Sequence, residues 1–126
     1  MTKKEVSKII DTLKNETLNL FDDIISLYPN ETDILLARLY IYNIEPITLM
    51  DGYIRSVYPF RGYIENKNEE FFIKTDNIFG KISSDKINRF KDIITRDMSA
   101  ENKVAIWKYF EVFIALIEKY QEFKIT

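Results

Sequence analysis

The segment from Ser99 to Phe123 most constrains how this chain can fold, because it leaves almost no polar surface for water. Its large apolar and aromatic residues are Val104, Ile106, Trp107, Tyr109, Phe110, Val112, Phe113, Ile114, Leu116, Ile117, Tyr120 and Phe123. A helix that is apolar on all sides must be buried in its own core or against a partner. Only a narrow strip is suited to water, formed by Lys108, Glu111, Ala115, Glu118 and Glu122. We therefore expect this helix to organise the fold.

Two apolar faces follow from helical spacing within this segment. The first comprises Ile106, Phe110, Phe113, Ile117 and Tyr120, joined by Trp107 and Ile114, and the second comprises Tyr109, Val112, Leu116 and Phe123. One interpretation is a central helix wrapped by the other helices. The other is that the second face meets another chain, as in a homodimer. The spacing leaves both interpretations open.

The composition argues against an enzyme. The chain has 126 residues, a net charge of −2, and neither histidine nor cysteine. It therefore lacks the imidazole and thiol groups that most often serve catalysis and metal binding. We expect no catalytic residue, no metal site and no cofactor. The absence of cysteine also excludes a disulfide framework.

The rest of the chain predicts further helices and no strand of consequence. Apolar residues recur at helical spacing from Lys4 to Tyr28, and residues 34–42 resemble a short core helix. Pro46 suits a first helical turn, and Ser84 and Ser99 are expected to cap the last two helices. The sequence predicts a single all-α domain over residues 1–126, a compact bundle of five to seven helices.

Residues 61–83 give a weaker pattern. Residues 61–68 are polar and turn-like, and residues 69–74 fit either one helical turn or a short extended piece. Residues 76–83 are predicted to form a loop that Ile78 and Phe79 pin to the core.

No set of polar side chains carries a specific catalytic signature. Asp22 and Asp23 are adjacent, so on a helix their carboxylates diverge by about 100° and cannot share a metal or a proton. We interpret them as part of a solvated face. Residues 83–86 contain serine and lysine but lack the arrangement that a serine–lysine hydrolase needs.

Nucleic-acid binding is the alternative function that the charges allow. Residues 81–96 carry a local net charge of +3, and Lys86, Arg89 and Arg96 are expected to share the solvent side of one helix. Such a helix can contact phosphates. A charge this small predicts weak, salt-sensitive binding.

Several short motifs resemble a known family. Glu101-Asn-Lys103, followed by Ile106-Trp-Lys-Tyr109 and an apolar tail, resembles the C-terminal motif of an uncharacterised family of small helical proteins from nucleocytoplasmic large DNA viruses. Met50 to Pro59 and Asn66 to Phe72 resemble other parts of the same pattern, which together covers residues 45–120. The resemblance implies a viral source and a helical fold, and it implies no activity and no catalytic residue.

These observations favour a non-catalytic protein–protein interaction module, serving as an accessory, virion or host-binding factor of a large DNA virus. Its expected partner is a second copy or another host or viral protein. No signal peptide is visible, and the densest apolar run, residues 104–117, is shorter than the roughly 20 residues of a membrane span. We therefore expect an intracellular protein of the host cytoplasm or the virion.

Trp107 provides a test of the organising helix. If its indole is buried, Trp107→Ala should destabilise the protein by about 3–5 kcal/mol, because the truncation leaves a cavity. Thermal or denaturant unfolding measures the change. An unchanged midpoint would mean that Trp107 is exposed and available to a partner.

Overall fold

The computed structural model describes the backbone of residues 2–125 and the side chains of residues 2–123. The elements are α1 (Lys3–Leu27), α2 (Thr32–Asn43), α3 (Pro46–Ser56), a 3₁₀ turn (Tyr58–Phe60), α4 (Arg61–Glu65), α5 (Glu70–Lys74), α6 (Ser84–Asp92), a wider π turn (Ile93–Asp97) and α7 (Ala100–Ile125). No strand occurs within residues 2–125. The prediction of a compact all-α bundle is confirmed.

Two of the three predicted helix starts are confirmed. Pro46 occupies the first turn of α3. The hydroxyl of Ser99 accepts a hydrogen bond from the backbone N–H of Asn102 at 3.2 Å, which caps α7. The assignment of Ser84 as a cap was wrong by one residue. Helix α6 begins at Ser84, and Ser83 precedes it without a side-chain bond to a free backbone N–H.

The prediction of a turn-like segment over residues 61–68 was wrong for its first part, which forms helix α4 (Arg61–Glu65). Residues 69–74, where the sequence left a helical turn and an extended piece open, contain helix α5. Between the two helices the backbone of Lys67 adopts a φ of 53°, the left-handed conformation that often ends a helix. The side-chain oxygen of Asn68 then accepts a hydrogen bond from the backbone N–H of Glu70 at 3.0 Å. Local hydrogen bonds therefore define α4 and α5, although neither is long enough to be stable alone.

The core contains a closed circuit of six aromatic rings. Each ring contacts the next in the order Phe79, Phe90, Phe72, Phe110, Phe113 and Tyr53, and Tyr53 in turn contacts Phe79. The centroids of neighbouring rings lie 4.9–6.4 Å apart. We call these six residues the aromatic circuit. They come from α3, α5, the loop 75–83, α6 and α7, so the circuit joins five segments. The prediction that Ile78 and Phe79 pin the loop is confirmed, because both side chains are fully buried.

Helix α7 contributes one fully buried face to this core. Ile106, Phe110, Phe113, Ile117 and Tyr120 are buried, as is Trp107, whose ring lies 5.4 Å from that of Phe72. The strip of Lys108, Glu111, Ala115, Glu118 and Glu122 is exposed, as predicted, and Val104 and Val112 beside it are also 45% and 40% exposed. Helix α7 packs mainly on α1, and additionally on α4 and α3, which leaves an outer strip open to water.

A buried hydroxyl pair joins α1 to α3. The Thr17 hydroxyl donates to the carbonyl oxygen of Leu13 at 2.8 Å and lies 2.8 Å from the Tyr53 hydroxyl. Since the one proton of Thr17 is committed to Leu13, Tyr53 must be the donor to Thr17. Burial raises the pKa of Tyr53 far above its ordinary value, so the phenol keeps the proton that it donates.

Because Tyr53 is the donor and Thr17 the acceptor, removing the one or the other hydroxyl should change the free energy of unfolding by different amounts. Thr17→Val leaves the Tyr53 O–H buried without an acceptor and should cost about 1–3 kcal/mol, whereas Tyr53→Phe removes only the donor and should cost about 1 kcal/mol. The double variant should cost less than the sum of the two, because it leaves no unpaired donor. Denaturant unfolding of the three variants measures these differences. Equal single costs that add in the double variant would contradict the assigned donor.

Candidate protein-interaction surface

Helix α2 presents an apolar surface to water. Leu35, Leu36, Leu39 and Tyr42 are 44%, 45%, 55% and 60% exposed, and we call these four residues the α2 outward face. At 100° per residue they span an arc of roughly 120° with Leu39 near its middle. The opposite side of the helix is fully buried through Ile34, Ala37 and Ile41.

The sequence analysis interpreted residues 34–42 as a short core helix, which is correct for only one side. The exposed positions of α1 show what a surface helix usually carries, since Lys8, Asp11, Asn15 and Asp22 are polar. Single exposed leucines are common on protein surfaces, but adjacent ones on a helix face are not. The α2 outward face is therefore the least expected part of the described surface.

Polar contacts attach α2 to α1 at the border of this face. The guanidinium of Arg38 donates to both carboxylate oxygens of Asp22, at 2.6 and 3.3 Å. The Lys14 ammonium donates to the carbonyl oxygens of Tyr42 and Ile44, both at 2.7 Å. Lys14 therefore fixes a positive charge at the C-terminal end of α2, where it also favours the helix dipole.

A groove of about 490 Å³ adjoins the face on the side of α6. Leu36 and Leu39 form part of its wall, together with Tyr40, Ile44 and Lys86. The outward leucines thus form the edge of a concave, largely apolar surface, which is the shape that a partner side chain can enter.

The other end of α2 is held by an ion-pair network. The guanidinium of Arg89 on α6 donates to both carboxylate oxygens of Glu31, at 2.9 and 2.5 Å, and to Asp97 at 3.1 Å. The hydrogen bond from Arg89 holds the pKa of the Glu31 carboxyl below its ordinary value, and the same bond raises the pKa of the guanidinium. Arg89 therefore acts as a bridge between α2 and the end of α6.

The three residues predicted to contact nucleic acid are largely engaged within the chain. Arg89 lies between two carboxylates, and the Lys86 ammonium donates to the Ser83 hydroxyl at 3.1 Å. Arg96 is the most exposed, with its Nε 3.8 Å from a carboxylate oxygen of Asp92. The carboxylates beside Arg89 and Arg96 lower the positive potential available to a phosphate.

The second face of α7 is less open than expected. The Tyr109 hydroxyl donates to a carboxylate oxygen of Asp23 on α1, so Asp23 is not the purely solvated group that the sequence suggested. Burial and then this hydrogen bond raise the pKa of Tyr109. Leu116 and Phe123 are half-buried, and Val112 is the most exposed of the four residues.

The described residues include no group of three or more acidic side chains placed to hold a metal ion. None of the described helices combines the length and the apolar character needed to cross a bilayer.

Comparisons with protein-family models, curated proteins and solved structures found no match to this chain.

The Glu31–Arg89 pair predicts a pH dependence of stability. Because the folded state lowers the pKa of Glu31 below 4.5, the pair stabilises the protein fully above that pH and loses its effect as the pH falls through the lower folded value. Glu31→Gln should therefore lower the melting temperature most at neutral pH, and the gap should close in acid. Thermal melts at several pH values measure it.

Glu45→Gln is the matched control, since Glu45 is an exposed carboxylate beside the other end of α2. It should change the melting temperature little at any pH. A Glu31→Gln gap of constant size from neutral to acidic pH would contradict the ion-pair explanation.

Proposed function

We propose that this chain is a non-catalytic protein–protein interaction module that docks through the α2 outward face. The supporting observation is the set of four neighbouring apolar side chains, 44–60% exposed, on one side of a helix. Monomeric proteins seldom expose a contiguous apolar patch of this kind unless it meets a partner.

The partner that this surface fits best is a second copy of the chain. Acidic Asp33 lies in the first turn of α2, and the Lys14 ammonium is bound at its C-terminal end. A two-fold axis that pairs α2 with its copy in antiparallel fashion brings each acidic end to a Lys14 and places Leu39 near its own copy. Charge and apolar surface are then complementary at the same time.

The resemblance of residues 45–120 to small proteins of large DNA viruses supports a role as an accessory, virion or host-binding factor. A host or viral protein that presents an apolar helix with a basic and an acidic end would use the same face. In this proposal the protein acts in the host cytoplasm or the virion.

Two other surfaces have weaker support. On α7, Tyr109 is bound to Asp23, which leaves Val112 as the main exposed apolar residue of the predicted second face. On α6, the carboxylates around Arg89 reduce the attraction for nucleic acid. Neither surface matches the continuous exposure of the α2 outward face.

The experiment that tests the proposal is the solution mass over a dilution series, by light scattering coupled to size exclusion. We expect twice the 15.0 kDa chain mass at high concentration, with dissociation in the micromolar range (~1–100 μM), because a single helix face gives a small interface. Leu39→Lys should give a monomer at every concentration, because it places two ammonium groups at the two-fold axis.

Two matched variants identify the surface. Ile73→Lys changes an exposed apolar residue of α5, 70% exposed, and should leave the mass unchanged. Val112→Lys tests the α7 face. A dimer abolished by Val112→Lys and retained by Leu39→Lys would move the interface to α7, and a wild-type monomer throughout would reject self-association.

A further inference from the structure

A cationic cleft lies on a different part of the molecule. It has a volume of about 470 Å³ and is enclosed by the C-terminal half of α3, the end of α5 and the loop 75–83. Arg55, Lys74 and Lys81 line it, and Asp76 is its one lining carboxylate. We call it the α3–α5 cleft. Its volume is within the range of pockets that bind small molecules.

The three cations of the cleft are not neutralised by the protein. Arg38, Arg89 and Lys103 each form an ion pair with a carboxylate elsewhere on the surface. Arg55, Lys74 and Lys81 are exposed and form no ion pair with any residue between positions 2 and 123. The positive charge of the cleft is therefore available to a ligand.

The carboxylate of Asp76 offsets only part of this charge. The three lining cations exceed the one lining carboxylate by two charges. Lys91 adds a further cation behind the loop, where its ammonium donates to the backbone carbonyl oxygen of Thr75, the residue before Asp76, at 2.5 Å.

The wall formed by the loop 75–83 is preorganised. The Thr75 hydroxyl donates to the carbonyl oxygen of Ser56 at 2.8 Å. The Ser56 hydroxyl donates to the carbonyl oxygen of Gly52 at 2.7 Å and lies 3.3 Å from that of Ile78. The side chains of Ile78 and Phe79 are fully buried beneath the loop. A ligand entering the cleft therefore does not have to order this segment, which lowers the cost of binding.

The α3 side of the cleft leaves room for a ligand. Gly52 lies on this wall, and a Cβ atom at this position would meet nothing within 4 Å. Phe60 adds a half-buried aromatic ring to the lining. The cleft thus combines charge, open space and one aromatic surface.

We propose that the α3–α5 cleft binds a small molecule that carries two adjacent phosphate groups. The guanidinium of Arg55 can donate two parallel hydrogen bonds to one phosphate, and Lys74 and Lys81 supply compact charges to the remaining oxygens. The cations are grouped in one bounded cleft, whereas Lys86 and Arg89 beyond it are bound within the chain. This grouping fits a small anion better than an extended nucleic-acid strand.

Isothermal titration calorimetry on the full chain with inorganic pyrophosphate and with ADP tests the proposal. Both probes should bind, and the affinity should fall as salt is added. Arg55→Gln and Lys81→Gln should each weaken binding by roughly tenfold to a hundredfold, as expected for a lost hydrogen bond to a charged group. Tighter binding of ADP than of pyrophosphate would identify a nucleoside diphosphate as the ligand, and equal affinities would identify the diphosphate alone.

Gly52→Leu separates a specific cleft from a general attraction of anions. Its side chain occupies part of the cleft and keeps every charge, so it should weaken binding while the melting temperature shows a folded protein. Lys108→Gln, on the exposed strip of α7, is the matched control and should bind both probes as the wild type does.

Three results would overturn the proposal. The first is that neither probe binds at low salt. The second is that Gly52→Leu retains the wild-type affinity, which would show that the probes bind through general surface charge and not in the cleft. The third is that a single-stranded oligonucleotide binds more tightly than both probes and loses affinity in the Arg55→Gln and Lys81→Gln variants, which would assign the cleft to nucleic acid.

Discussion

The closed aromatic circuit is the contact on which the rest of this structure depends. Its six rings come from five segments, and two of those segments, α5 and the loop 75–83, have little structure of their own to rely on. Edge-to-face and tilted ring pairs add to the apolar area that each ring buries. Because Phe79 contacts both Phe90 and Tyr53, one loop residue closes the circuit between α6 and α3. Packing of distant segments, and not local helix stability, therefore holds this chain together.

Helix α2 contributes no ring to the aromatic circuit. The circuit therefore does not depend on the apolar outer side of this helix. Helix α2 contributes aliphatic residues to the core, and polar contacts hold both of its ends: Lys14 at the C-terminal end and the Glu31–Arg89 pair at the N-terminal end. Arg38 adds a contact to α1. With the helix held in this way, Leu35 and Leu39 remain 44% and 55% exposed on its outer side. The proposed interaction depends on this exposed apolar surface.

The sequence could predict the helices more readily than their orientation. Helical spacing correctly identified the buried face of α7, because Ile106, Phe110 and Phe113 recur at three and four residues. On α7 the strip that includes Lys108, Glu111 and Glu118 also marked the side that faces water. Spacing fails for α2, because Leu35, Leu36 and Leu39 leave no polar stripe on its outer side, and for this reason α2 was interpreted as a core helix. The pairing of Glu31 with Arg89 was equally beyond prediction, because the two residues are 58 positions apart and only the tertiary fold brings them together.

The loop 75–83 links the core to the cleft, because some of its residues are buried in the core and others line the cleft. Ile78 and Phe79 are buried in the core, while Asp76 and Lys81 line the α3–α5 cleft. Gly80 adopts a φ of 90°, a conformation that favours glycine and lets the chain turn between these two roles. Displacing the cleft wall would withdraw Phe79 from the aromatic circuit and open the core. The same packing that closes the fold therefore fixes the position of a charged surface that folding itself does not require.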